Sequence, residues 1–196
     1  MTYKTNQSMT PFLDVLFSLL ICCLAVVLIV NHKNSEDKPS QQYQAIYSIV
    51  MEWPVSSNDD IDLWSRDSQG RIVGFNRREG GQDSLMNLNH DNLGRDQNER
   101  GASLEVNQEI ISIRGVTEGE YIVNAQCYGK RDATPTTVVI KLVKMKPFSQ
   151  IFIRTNIFST AGEEFTFFRF TLDKDGAASG FNELQEIVAQ NSGRGL

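Results

Sequence analysis

From Phe12 to Val30 the chain is almost unbroken in apolar residues, and Asp14 stands inside that run. A helix needs about 20 apolar residues to cross a bilayer core, and this stretch has that length. Thr10 and Pro11 supply a helix start, because the hydroxyl can cap and a proline at the first helical position gives up no needed donor. The run is too long for the apolar core of a cleavable signal and lacks a small-x-small site. Lipidation at Cys22 or Cys23 would want a small residue just before it, where the chain has Ile21 or Cys22. The sequence therefore predicts an uncleaved signal anchor with a transmembrane helix over 12–30. Asp14 is the anomaly, since a carboxylate within such a segment costs roughly 2.5–3.5 kcal/mol on insertion scales.

Asp14, Ser18, Cys22 and Ala25 follow spacings of four, four and three, which places them on one stripe of the helix. Bulky residues such as Leu16, Leu20 and Val27 fill the rest of the circumference. A small, polar stripe suits a partner helix or a hydrated path. The plainer reading is that Asp14 sits near a helix end and reaches the interface, where its cost is small. Lys4 on one flank and Lys33 and Lys38 against Glu36 and Asp37 on the other leave the charge rule for orientation undecided.

The run Thr10-Pro11-Phe12-Leu13-Asp14-Val15 resembles the membrane motif of the ExbD/TolR family, related to MotB, in which T-P-[FL]-[IL]-D-[VM] opens the single membrane helix. The resemblance implies a small subunit of a 5:2 inner-membrane motor driven by the proton-motive force. In it Asp14 carries the proton, and Thr10, Pro11, Ser18 and Cys22 support it on the pore side. It also implies a homodimer within a pentameric ring of a multispan ExbB/TolQ/MotA-like partner, a bacterial inner-membrane location, a cytoplasmic N-terminus (1–11) and a periplasmic C-terminal domain. The likeness ends with the helix. The T-D-x-x-G and N-x-x-L-S-x-x-R-A motifs of the peptidoglycan-binding MotB branch are absent, and the string of strands downstream does not match the small mixed α/β domain of ExbD and TolR. The periplasmic target is left open. A rival reading is a membrane-tethered binding or adhesion module without ion transport.

Residues 31–42 are polar, with Pro39 and mixed charge, and read as a linker. Residues 43–196 change character: short runs rich in Ile, Val, Phe, Tyr and Thr alternate with Gly, Pro and Asp turns, as in Glu109–Arg114, Tyr121–Tyr128, Thr136–Lys146, Gln150–Phe158 and Glu164–Leu172. Eight or nine strands without helical periods between them predict an antiparallel β-sandwich. Asp67-Ser68-Gln69-Gly70 reads as a hairpin turn, Gly80–Gly101 as a mostly irregular loop, and Phe181–Ala189 as a short C-terminal helix.

The formal charge of -5 and the lack of a Lys/Arg cluster argue against nucleic-acid binding. Three cysteines, two of them in the apolar run, give no disulfide framework, and Cys127 reads as a buried structural thiol. His32 and His90 lack the spaced partners of a zinc site, and no P-loop, G-x-S-x-G or H-E-x-x-H occurs, so no enzyme or resident cofactor is expected. Asp60, Asp62 and Asp67 are weak candidates for calcium ligands, faintly resembling the D-x-D-L-[WY]-x-x-D-x-x-G hairpin of some secreted bacterial β-sandwich modules. The plainer reading has them capping an edge strand and its turn. Asp173-Lys174-Asp175-Gly176 reads as a β-turn, and Trp53 and Trp64 as core residues.

Overall fold

The structure is a computed structural model that describes residues 10–36, 44–81, 83–93 and 106–189, with helix side chains described over 12–27. It divides into two units, 1–42 and 43–196.

The first unit holds α1, Thr10–Glu36. The helix continues past Val30, so the stretch read as linker begins helical. All its described side chains are exposed. Among the described residues no helix is long and apolar enough to cross a membrane; the described helix side chains cover only part of the apolar run. His32 and the side chains of Thr10 and Pro11 lie outside them.

The second unit is all antiparallel β. Its strands are β1 (Tyr47–Trp53), β2 (Asp60–Arg66), β3 (Ile72–Val73), β4 (Met86–His90), β5 (Asn107–Ile113), β6 (Gly119–Gly129), β7 (Thr136–Met145), β8 (Phe148–Phe158), β9 (Glu164–Leu172) and β10 (Ala178–Asn182). They form two five-stranded sheets, in the orders β4-β5-β1-β7-β8 and β10-β9-β6-β2-β3. Period-two alternation explains the layering, because successive side chains of a strand point to opposite faces. Tyr47, Ile49, Met51 and Trp53 of β1 are buried, as are Val138, Ile140 and Leu142 of β7, and they meet Ile61, Leu63, Tyr121, Val123, Phe168 and Phe170 of the other sheet in one core. Both tryptophans are buried, as the sequence predicts.

Two segments differ from the expectation. The stretch from Gly80 contains β4, which pairs with β5 through Met86↔Ile113 and Leu88↔Ile111, so His90 sits in a strand rather than a loop; residues 94–101 of that stretch lie outside the described ones. Two alternating apolar side chains suffice here because β5 already supplies the template. Phe181–Ala189 is not a helix: β10 ends at Asn182 and the chain then runs without regular secondary structure to Val188. Phe181 stacks on Phe152 at 4.5 Å, and Gln185 takes the place of a ladder partner, accepting from Thr166 N at 2.9 Å and donating to Thr166 O at 2.8 Å. This irregular segment carries Val188 and Ala189 onto Trp64, Ile72 and Ile122, where they close a second apolar cluster.

Gly74 touches that cluster from the other side. A Cβ there would lie 2.2 Å from Trp64 Cε3, inside any possible contact, and Trp64 is buried with little room to turn. Gly74→Ala is expected to destabilise the β domain by about 1–3 kcal/mol, the range of overpacked cores. Urea unfolding of the full chain in detergent measures it, and a loss below about 0.5 kcal/mol would show that Trp64 moves freely.

Candidate functional sites

Among the described residues, two places are candidates for a functional site. The first is on α1, where Asp14, Ser18 and Cys22, with Val15 and Leu19, line one shallow groove along the helix. Spacings of four bring these side chains over one another. The expected stripe is therefore present as far as Cys22, and Asp14 is the lone acid among residues 12–27. Thr10 and Pro11 open the same helix by backbone.

The second lies in the β domain and joins residues that the sequence reading kept apart. Asp62 of β2, Asp91 just after β4 and Glu109 of β5 each offer a carboxylate oxygen, and these oxygens lie within 4.8 Å of one another. β3 pairs with β2 only at Ser65 and Arg66. Beyond its end the Leu63 N–H has no strand neighbour on that side, and it donates to Glu109 Oε2 at 2.7 Å. Asn92 N donates to Glu109 Oε1 at 3.2 Å. Glu109 is thus a carboxylate bracket between the sheets, wholly buried.

The electrostatics are those of crowded, dehydrated acids. Burial, and then the charges of Asp60 and Asp91, push Asp62 up to about 8. Burial raises Glu109 well above the usual carboxylate range; the two N–H donors oppose it while Asp62 and Asp91 add to it. Asp60 is raised too, by burial and by Asp91, against the pull of Arg131. Asp91 Oδ2 meets Arg78 Nη2 at 2.6 Å, and Asp60 Oδ2 meets Arg131 Nη2 at 3.4 Å.

The view of these acids as solubilising an edge strand is corrected. β2 pairs with β3 only at Ser65 and Arg66, so its first half is an edge, but Asp59, Asp60, Asp62 and Asp67 are all buried. Asp67 does serve its turn: its Oδ1 accepts from Gln69 N and Arg71 N, each at 3.0 Å, and its Oδ2 from Arg71 Nε at 2.6 Å. That leaves it outside the acidic group. Asp91 and Glu109 escaped sequence reasoning, although Glu109 carried a signal, since it occupies an inward position in the alternation Asn107, Glu109, Ile111, Ile113.

Asp173 anchors a plain turn, with Gly176 N donating to Asp173 O at 3.0 Å. Cys127 is buried and its thiol is pushed up to about 12, by burial first. With Cys22 and Cys23 replaced by serine, Cys127 is expected to resist maleimide at pH 8 in the native chain, at least a hundredfold slower than an open thiol, and to label once urea unfolds the domain. Fast native labelling would contradict this, because only the thiolate reacts.

Comparison with known proteins finds no matching family model, no matching curated protein and no matching solved structure.

Proposed function

We propose that the chain is the ion-translocating small subunit of a membrane motor driven by the proton-motive force, with Asp14 as the proton carrier. The observation that carries this reading is a lone carboxylate on a helix whose described side chains are otherwise almost all apolar and all uncovered; Phe12, Leu16, Leu20 and Leu24 are each more than half exposed. A contiguous apolar surface of that kind belongs against lipid or a partner. The sequence run from Phe12 to Val30 has the length to span, and the likeness to the ExbD/TolR motif gives the acid its role.

In this reading lipid covers the bulky side chains, while the Asp14, Ser18, Cys22 stripe faces a multispan partner that forms a pentameric ring around two copies of α1. Desolvation favours the protonated carboxyl, and contact with water or a donor favours the ionised one. Movement of Asp14 between two such settings loads and releases a proton. The proton's passage releases about 2.3 kcal/mol per 100 mV of membrane potential, enough for a small rotation. The N-terminus is cytoplasmic and the β-sandwich is periplasmic, where it anchors or transmits the movement. Ion-driven activity in Asp14→Asn, measured beside expression and co-purification with the partner, tests the reading.

A further inference from the structure

We propose that the β domain carries a calcium site whose side-chain ligands are Asp62, Asp91 and Glu109. This goes beyond the proton-carrying role of Asp14 and does not depend on it.

The spacing fits the ion. Calcium takes oxygen ligands at about 2.3–2.6 Å, so two ligands on opposite sides of it stand up to about 5 Å apart, whereas magnesium at about 2.0–2.1 Å draws them to within about 4.2 Å. The three carboxylate oxygens, within 4.8 Å of one another, fit inside the calcium shell. All three ligands are hard oxygens, with no thiolate or imidazole among them, a set that selects calcium or magnesium over zinc or copper.

The hydrogen bonding points to the same occupant. Asp62 is 3% exposed, and its Oδ2 is buried with no partner. Asp91 Oδ1 is buried and unpartnered as well, its other oxygen being the one that meets Arg78. Asp60 repeats the pattern, with Oδ2 toward Arg131 and Oδ1 buried without a partner. Buried polar atoms are normally satisfied. Arg78 and Arg131 each take one oxygen, of Asp91 and of Asp60, while Asp62 Oδ2, Asp91 Oδ1 and Asp60 Oδ1 stay unpaired, and a dication supplies what those oxygens lack. Glu109 is preset for the task, since the N–H groups of Leu63 and Asn92 hold its carboxylate in place and each oxygen retains a second lone pair. Water and backbone carbonyls complete a shell of six to eight. Because the ligands come from β2, from the residue after β4 and from β5, the ion ties the edges of the two sheets together.

The test uses the full chain in detergent, stripped with EDTA and titrated with calcium chloride at pH 7.5 by calorimetry and thermal melting. Saturable binding is expected, with the melting temperature of the β domain rising by about 5–10 °C at a hundredfold excess over Kd. Magnesium is expected to bind at least tenfold more weakly. Asp62→Asn should abolish the calcium response while leaving the metal-free melting temperature unchanged or higher, since it removes an unpaired buried acid. If Asp62→Asn fails to fold, Asp91→Asn reads the same loss. Absence of saturable calcium binding, an equal response to magnesium, or a full response in the folded variant overturns the proposal.

Discussion

Replacing Asp14 with asparagine is expected to leave expression, membrane insertion and assembly with the partner intact while ion-driven work falls to background. Asparagine has nearly the shape of aspartate and keeps the stripe with Ser18 and Cys22, but it cannot take up or release a proton. Removing the charge also lowers the cost of placing the helix in a bilayer, because a neutral amide is cheaper to bury than a carboxylate. A loss of activity therefore does not trace to failed insertion. At about 150 mV each proton brings about 3.5 kcal/mol, and none of that is available without a carrier. Asp14→Glu keeps the chemistry and displaces it by one methylene, so partial activity is expected there. Proton flux into vesicles holding the assembled complex, read beside co-purification, separates the outcomes. Full activity of Asp14→Asn sinks the motor reading and favours a tethered binding module; loss of assembly makes Asp14 a packing residue and sinks it equally.

What the sequence made legible follows the strength of each periodic signal. β6, β7 and β9 alternate or run apolar over nine to eleven residues, and turn residues bound them, so their class and place were readable. β4 has only Met86 and Leu88 to pack, set among asparagines, and its existence depends on β5 lying beside it. The C-terminal segment misled for a physical reason: Phe181, Leu184 and Val188 fall three and four apart, as on a helix face, yet Leu184 is 68% exposed. Side-chain bonds from Gln185 to the Thr166 backbone and the need to cover Trp64 outweigh local propensity.

The two candidate sites were legible to different degrees. On α1 the stripe is local, and sequence spacing alone places it. In the β domain Asp62 was visible as an acid in a run of strand residues, but its neighbours arrive across long separations, Asp91 from just after β4 and Glu109 from β5. Only the two-sheet topology brings them together. The inward phase of Glu109 was the one local hint, an acid standing where its strand otherwise turns apolar residues to the core.

Asp59, one residue before β2, gives the sharpest stability prediction because its burial is matched by a full set of donors. Its Oδ1 accepts from Arg131 N at 2.6 Å and Asp132 N at 2.8 Å, and its Oδ2 from Lys130 Nζ at 2.7 Å and from the Thr136 hydroxyl. Burial acts to raise its pKa, but the Asp132 N–H, Lys130, Thr136 and the Arg131 N–H together outweigh it, and the carboxyl is held below its usual range. Lys130 is itself nearly buried, donating also to the carbonyls of Asp132 and Thr134 at 2.7 Å. One carboxylate thus organises the whole β6–β7 connection. Asp59→Ala leaves the Lys130 ammonium without its counter-charge and two N–H groups without their acceptor, so a loss of about 3–5 kcal/mol at pH 7 is expected, with a melting temperature lower by about 10 °C. The pH dependence has a fixed sign. A carboxyl whose folded pKa lies below its unfolded value near 3.8 contributes stability above that value and loses it as pH falls through the folded pKa. The wild-type advantage over Asp59→Ala should therefore be full at neutral pH and shrink below about pH 4. Thermal melts of both chains at pH 7 and pH 3 measure it. A difference under about 1 kcal/mol at pH 7, or one that stays constant into acid, would show that the connection is held by something other than this charge.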